Sequence, residues 1–165
     1  MESVWEKAKK IKLILFDCDG ILTDGGLYVL PSGEEFRRFH VHDGYGIRLL
    51  HRHGIGTGII SGKDSEAVRQ RANSLGMKFI RLGIMDKKEV IREILDLTRL
   101  DPAELAFVGD DVFDLEAMKA VGLSVSTPNA RPEVKEAVDH VTETRGGEGA
   151  AREIAQILLQ AQGKL

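Results

Sequence analysis

Asp17 and Asp19 flank Cys18 and precede Gly20, directly after the apolar run of residues 11–16. In an extended backbone, side chains two residues apart leave the same side, and two carboxylates held close repel unless a cation or a proton intervenes. Polar residues recur at the ends of later apolar runs: Ser61 after 55–60, and Asp110 and Asp111 after 105–108, with Asp114 a turn further on. In a parallel sheet such ends converge on one edge, and open α/β sheets bind ligands beyond the carboxyl ends of their strands. Carboxylates completed by water and a phosphate oxygen describe a Mg²⁺ site, whereas zinc would ask for Cys or His. The pairs His40/His42 and His51/His53 have no third ligand at metal-site spacing and read as structural or solvated. Taken singly, each polar residue also has a structural reading: an Asp-Gly turn, a helix N-cap at Ser61, a helix-start acid at Asp114.

The elements that position these residues follow a β-α rhythm. The runs 11–16, 55–60, 78–82, 105–108, 123–125 and 139–141 read as buried strands of a parallel sheet. Between them, Asp43 is expected to cap a helix ending at Gly54, a second helix to cover about 64–75, and Asp86 to cap an amphipathic helix with Val90, Ile91, Ile94 and Leu95 inward. Asp101-Pro102-Ala103-Glu104 carries an N-cap, a proline at N1 and a capping-box acid. Helices near 114–120, after Pro132 and over about 148–161 complete the alternation. Residues 27–30 and 36–41 flank the turn Pro31-Ser32-Gly33 and read as a β-hairpin outside it.

Composition narrows the partners. With 165 residues, 42% hydrophobic and 30% charged, the chain fits one soluble globular domain over 1–165, and a formal charge of −3 gives no basic face for nucleic acid. A small anionic or neutral ligand is expected. The lone Cys18 excludes an internal disulfide and suits a reducing compartment. Residues 1–10 are charged, with no apolar stretch of signal length, and no run is long enough to span a bilayer, so a cytoplasmic protein without membrane association is expected.

In order, Asp17-Cys18-Asp19-Gly20-Ile21-Leu22-Thr23-Asp24-Gly25, Ser61-Gly62, Lys87 and Gly109-Asp110-Asp111-Val112-Phe113-Asp114 resemble the four motifs of the haloacid dehalogenase superfamily of phosphatases. His42-Asp43-Gly44-Tyr45-Gly46-Ile47-Arg48 and the terminal Ala161-Gln162-Gly163-Lys164-Leu165 are similar to the capless subgroup of 3-deoxy-D-manno-octulosonate 8-phosphate (KDO 8-phosphate) phosphatases. The resemblance implies a Rossmann-like, three-layer α/β fold with a central, mostly parallel sheet, a protruding hairpin over about 27–41 and no cap domain. It further implies that Asp17 attacks phosphorus, forming an aspartyl-phosphate, and that Asp19 serves as acid and then base. Mg²⁺ would be held by the carboxylates of Asp17 and Asp110 and the backbone carbonyl of Asp19. Ser61 and Lys87 would bind the phosphoryl oxygens, with Asp111 and Asp114 supporting from behind. Lys87 is preferred to Lys88 on its offset from Gly109-Asp110; a solvated first-turn lysine is its structural alternative.

The same resemblance places sugar-acid contacts at His42, Asp43, Gly44, Arg48, Gly62, Lys63 and Arg71, with Lys164 in a tail, residues 163–165, that reaches a neighbour's active site. Lys63 stands where arginine is expected in many relatives, which weakens bidentate recognition of a carboxylate. The separations from Asp19 to Ser61 and from Ser61 to Asp110 leave no room for a folded lid. Leu27, Tyr28, Val29, Phe36 and Phe39 are expected to form an exposed apolar face, and the resemblance implies a homotetramer through such hairpins. The expected substrate is a phosphorylated sugar acid, KDO 8-phosphate first and a nonulosonate (sialic-acid-type) 9-phosphate as the alternative. A non-catalytic oligomerisation or regulatory module is the reading from another class.

Overall fold

The computed structural model describes residues 2–165. The first strand, β1 (Leu13–Phe16), is buried along its whole length, and its apolar side chains alternate between two cores. Ile14 and Phe16 face one side, where α1 (Val4–Lys10), α2 (Val41–Arg52), α3 (Glu66–Ser74) and α7 (Ala150–Ala161) pack. Leu13 and Leu15 face the other, covered by α4 (Lys87–Thr98), α5 (Leu115–Met118) and α6 (Pro132–Ala137). A strand apolar on both faces must be covered on both, and this produces the three layers.

The remaining strands of the sheet are β4 (Gly56–Ser61), β5 (Phe79–Leu82), β6 (Leu105–Val108), β7 (Leu123–Ser126) and β8 (His140–Val141). The order is β5-β4-β1-β6-β7-β8 and every pairing is parallel. Phe16 stands level with Ile59 of β4 and Val108 of β6. The residues following these positions therefore emerge along one edge. After β5 the chain returns to the other side of β1, so the order reverses between β1 and β6, where α/β sheets open a crevice.

Several expected boundaries shift. The hairpin strands are only β2 (Tyr28–Val29) and β3 (Glu35–Phe36), because the returning arm leaves the ladder after Phe36 and turns inward. Phe39 bridges to Thr23 and packs against the core, so it does not join the exposed face. Tyr28 is half-buried and stacked on Phe36, whereas Leu27, Val29 and Phe36 are exposed as expected, with Leu30 exposed beside them. Asp43 does not cap α2: the helix starts earlier, with His40 as N-cap. Asp43 lies buried in the first turn, and its Oδ1 accepts from the amides of Ala151 at 2.9 Å and Arg152 at 3.3 Å. It thereby caps α7, whose own N-cap position is Gly149, a residue with no side chain for the task. Residues 1–10 carried no expected element, yet α1 forms there, with Ser3 Oγ accepting from Glu6 N and Ala8 buried. No helix among the described residues is long and apolar enough to cross a membrane.

Candidate active site

The carboxyl ends of β1, β4 and β6 open into a cleft of about 410 Å³ lined by Asp17, Asp19, Ser61, Gly62, Lys63, Lys87, Asp110, Asp111 and Asp114, with Ile84, Met85 and Phe113 among its apolar walls. Asp17 follows β1 directly, and its amide donates to Val108 O at 2.8 Å, continuing the ladder to β6. Gly20 then turns the chain at φ 86°, where a Cβ would lie 2.0 Å from Asp110 Oδ2. Only glycine allows both the left-handed turn and the approach of the second acidic loop. Asn129 holds this turn from behind: its Nδ2 donates to Gly20 O and its Oδ1 accepts from Gly146 N, both at 2.8 Å.

Lys87 is the electrostatic centre of the cleft floor. It is buried in the first turn of α4, with Nζ 2.8 Å from Asp17 Oδ1 and 2.6 Å from Asp114 Oδ1. Lys88 is exposed and its Nζ lies 3.5 Å from Glu116, so of the two lysines it is Lys87 that reaches the cleft. Burial alone would lower the Lys87 pKa, but the carboxylates of Asp17 and Asp114 outweigh it and hold the ammonium above its ordinary value. Asp114 is 1% exposed and both oxygens are engaged, Oδ2 accepting from the amides of Asp110 at 3.0 Å and Asp111 at 3.2 Å. It is a helix-start acid and a brace for Lys87 at once. Asp111, exposed at the mouth, accepts from Val112 N. Ser61 is buried at the end of β4 and is not a helix N-cap, because α3 begins later, with Ser65 in that position.

The cleft floor holds more negative charge than Lys87 offsets. Carboxylate oxygens of Asp17, Asp110 and Asp114 all lie within 4.8 Å of one another. Burial, opposed by Lys87 and reinforced by Asp114, raises the Asp17 pKa to about 6. Burial together with Asp17 and Asp114 raises Asp110 to about 8. A cation placed between Asp17 and Asp110 would relieve that repulsion, and hard oxygen donors without Cys or His suit Mg²⁺. Asp114, whose oxygens already accept from Lys87 and from two amides, braces the site from behind. The Asp19 carboxyl stands apart from this cluster: Arg37 Nε donates to its Oδ1 at 2.8 Å.

The expected sugar-acid residues divide. Gly62 and Lys63 reach the cleft, Lys63 paired with Glu35 of the hairpin. His42 lines a separate surface pocket with Val41, Tyr45 and Arg152. Gly44 is buried against Arg71, whose guanidinium lies over Phe39 at 5.6 Å and donates to His40 O at 3.4 Å; Arg48 is exposed on α2. Asp43, as described, is committed to α7. Lys164 lies at the opposite end of the sheet, donating to His53 O at 2.9 Å beside the start of β4. These six therefore do not line this chain's own cleft. Arg37 and Asn129 were missing from the sequence reading.

Comparison with known proteins agrees with this geometry. Residues 79–154 match the model of the haloacid dehalogenase-like hydrolases. The 3-deoxy-D-manno-octulosonate 8-phosphate phosphatase of Haemophilus influenzae is 41% identical over 96% of this chain and 88% of its own length. The crystal structure of the phosphatase of the same name from Yersinia pestis superposes with a TM-score of 0.96 at 39% identity, covering 98% of this chain and 88% of that one. That from Moraxella catarrhalis, solved in complex with magnesium ion, phosphate ion and a KDO molecule, gives a TM-score of 0.95 at 36% identity over 97% of this chain and 92% of that one. By sequence and by fold, the chain belongs to the haloacid dehalogenase-like hydrolases, in the family of the 3-deoxy-D-manno-octulosonate 8-phosphate phosphatases, which are phosphoric monoester hydrolases.

Proposed function

We propose that this chain is a Mg²⁺-dependent phosphomonoesterase that hydrolyses KDO 8-phosphate to KDO and phosphate through an aspartyl-phosphate. The observation that carries the reading is the contact of Lys87 Nζ with Asp17 Oδ1 at 2.8 Å beside the Asp110 carboxylate. An ammonium and an acid pair facing one cleft suit a phosphoryl group that arrives with its own negative charge. Asp17 attacks phosphorus with a carboxylate oxygen as the bond to the sugar oxygen breaks, and Asp19 delivers a proton to that oxygen. Asp19 then takes a proton from the water that attacks phosphorus, the bond from Asp17 to phosphorus breaks, and phosphate leaves. Ser61 and Lys87 hold the phosphoryl oxygens throughout. The carboxylates of Asp17 and Asp110 and the carbonyl of Asp19 would hold Mg²⁺, which supplies charge neutralisation for the transferring group.

The cleft has no lid of its own among the described residues. We assign its cover to neighbouring copies, through the exposed face of Leu27, Val29, Leu30 and Phe36, in a homotetramer. Residues 163–165, far from their own cleft, would then serve a neighbour's, with Lys164 and the α2 residues contributing between subunits. A single catalytic domain of the cytoplasm, acting in lipopolysaccharide precursor synthesis, fits these features. Phosphate release from KDO 8-phosphate and from a nonulosonate 9-phosphate, measured side by side with Mg²⁺ and with chelator, tests the reading. Turnover of the first, abolished by chelation, is expected. Preference for the second would reassign the substrate, and turnover indifferent to chelation would refute the metal role.

A further inference from the structure

The Asp19 carboxyl has a buried partner that its role in proton transfer does not by itself require. Arg37 sits on the returning arm of the hairpin, where alternation turns Phe36 and Arg38 outward and Arg37 and Phe39 inward. Its side chain is 2% exposed, and Nε donates to Asp19 Oδ1 at 2.8 Å. Nη1 donates to Ser65 Oγ at 3.1 Å, while Nη2 is buried with no partner among the described residues. Desolvating a guanidinium and leaving one of its nitrogens unsatisfied is unfavourable, and one ion pair to a part-exposed carboxylate offsets little of that. Ser65 forgoes an interaction as well. It occupies the N-cap position of α3, where serine is a preferred cap, yet its hydroxyl makes no capping bond. Two local rules are broken at one place, and both departures surround the guanidinium that holds a single oxygen of Asp19. Departures of this kind collect where function demands them.

Arg37 does not line the cleft, whereas Asp19 does. We infer that Arg37 is the positioning residue for Asp19: it anchors Oδ1 from the hairpin and so sets where Oδ2, bonded to no protein group among the described residues, meets the leaving oxygen. The inference rests on Asp19 being the proton donor, and it extends that reading to the hairpin. Through Arg37 the segment that carries the exposed apolar face also aligns the proton-transfer group.

The test uses leaving groups. kcat/KM covers the path up to the first irreversible step, in which Asp17 bonds to phosphorus, the ester bond breaks and the proton of Asp19 passes to the departing oxygen. An alkoxide needs that proton, and nitrophenolate does not. Arg37→Gln, Arg37→Lys and Asp19→Asn would be assayed with Mg²⁺ on KDO 8-phosphate, on phenethyl phosphate as a plain alkyl ester, and on p-nitrophenyl phosphate. For Arg37→Gln we expect kcat/KM to fall about 10- to 100-fold on both alkyl esters and less than about threefold on the aryl ester. Arg37→Lys, a point charge without the planar fork, should recover part of the loss. If Arg37→Gln does not fold, as judged by circular dichroism, the lysine variant carries the comparison. Equal losses on all three esters, no loss, or loss on KDO 8-phosphate alone would overturn the inference, provided that Asp19→Asn discriminates between alkyl and aryl esters. If Asp19→Asn does not discriminate, the proton-donor reading itself fails and the inference falls with it.

Discussion

Replacing Asp110 by asparagine should stabilise the metal-free protein at alkaline pH. Burial and the charges of Asp17 and Asp114 raise the Asp110 pKa from 3.8 to about 8. A carboxyl that binds its proton more tightly when folded than when unfolded contributes stability at low pH and loses it as pH rises through the folded value. Above about pH 8 the ionised group is therefore a cost to the folded state. A shift of about 4 units at ~1.36 kcal/mol each sets a ceiling of about 6 kcal/mol, which the water reaching this half-buried side chain reduces to about 2–3 kcal/mol. Asparagine removes the charge and keeps the shape. In a chain of this length about 1 kcal/mol moves Tm by roughly 2–4 °C, so at about pH 9 the variant should melt roughly 5–10 °C above wild type in chelator. The gap should narrow toward about pH 5, where the wild-type carboxyl is protonated. Saturating Mg²⁺ should reverse the order, since only wild type keeps the full site. Thermal melts followed by circular dichroism read all of this. A metal-free variant that melts below wild type at alkaline pH, or a gap that widens on acidification, would refute the reasoning.

Other residues give separate tests. Lys87→Met leaves Asp17 and Asp114 without their shared cation and should cost about 3–5 kcal/mol in denaturant unfolding, with kcat down at least about 100-fold. A stable, active variant would remove Lys87 from the centre of the site. Asp43→Leu deprives the start of α7 of the carboxylate that caps it and should lower stability by about 1–2 kcal/mol. An unchanged unfolding midpoint would show that water replaces it. Phe36→Glu puts a charge into the exposed hairpin face and should shift sedimentation toward the monomer, whereas an unaltered sedimentation coefficient would count against hairpin assembly.

The strand ends were legible because a parallel sheet marks them twice, by an aliphatic run and by the polar residue that follows. Asp17, Ser61 and Asp110 announce themselves in this way, and the capping signals at Asp86 and Asp101 proved equally local. What escaped depends on contacts between segments distant in sequence. Asp43 looks like a cap for the helix that contains it, and nothing nearby shows that α7, beginning at residue 150, takes its carboxylate instead. Asn129 joins Gly20 to Gly146 across three loops, with no periodic pattern to reveal it. Two signals were present but unread. Ser3 followed by Glu6, with Val4 and Ala8 one turn apart, marks α1, and strict alternation from Phe36 to Phe39 would have turned Arg37 inward.

The central claim is that Asp17 carries the phosphoryl group between the two halves of the reaction. Acid quenching during turnover of KDO 8-phosphate with Mg²⁺, followed by peptide mapping, measures it directly. Phosphate bound to Asp17, and its absence together with loss of phosphate release in Asp17→Asn, is the predicted result. Phosphate release by Asp17→Asn at the wild-type rate would contradict the account.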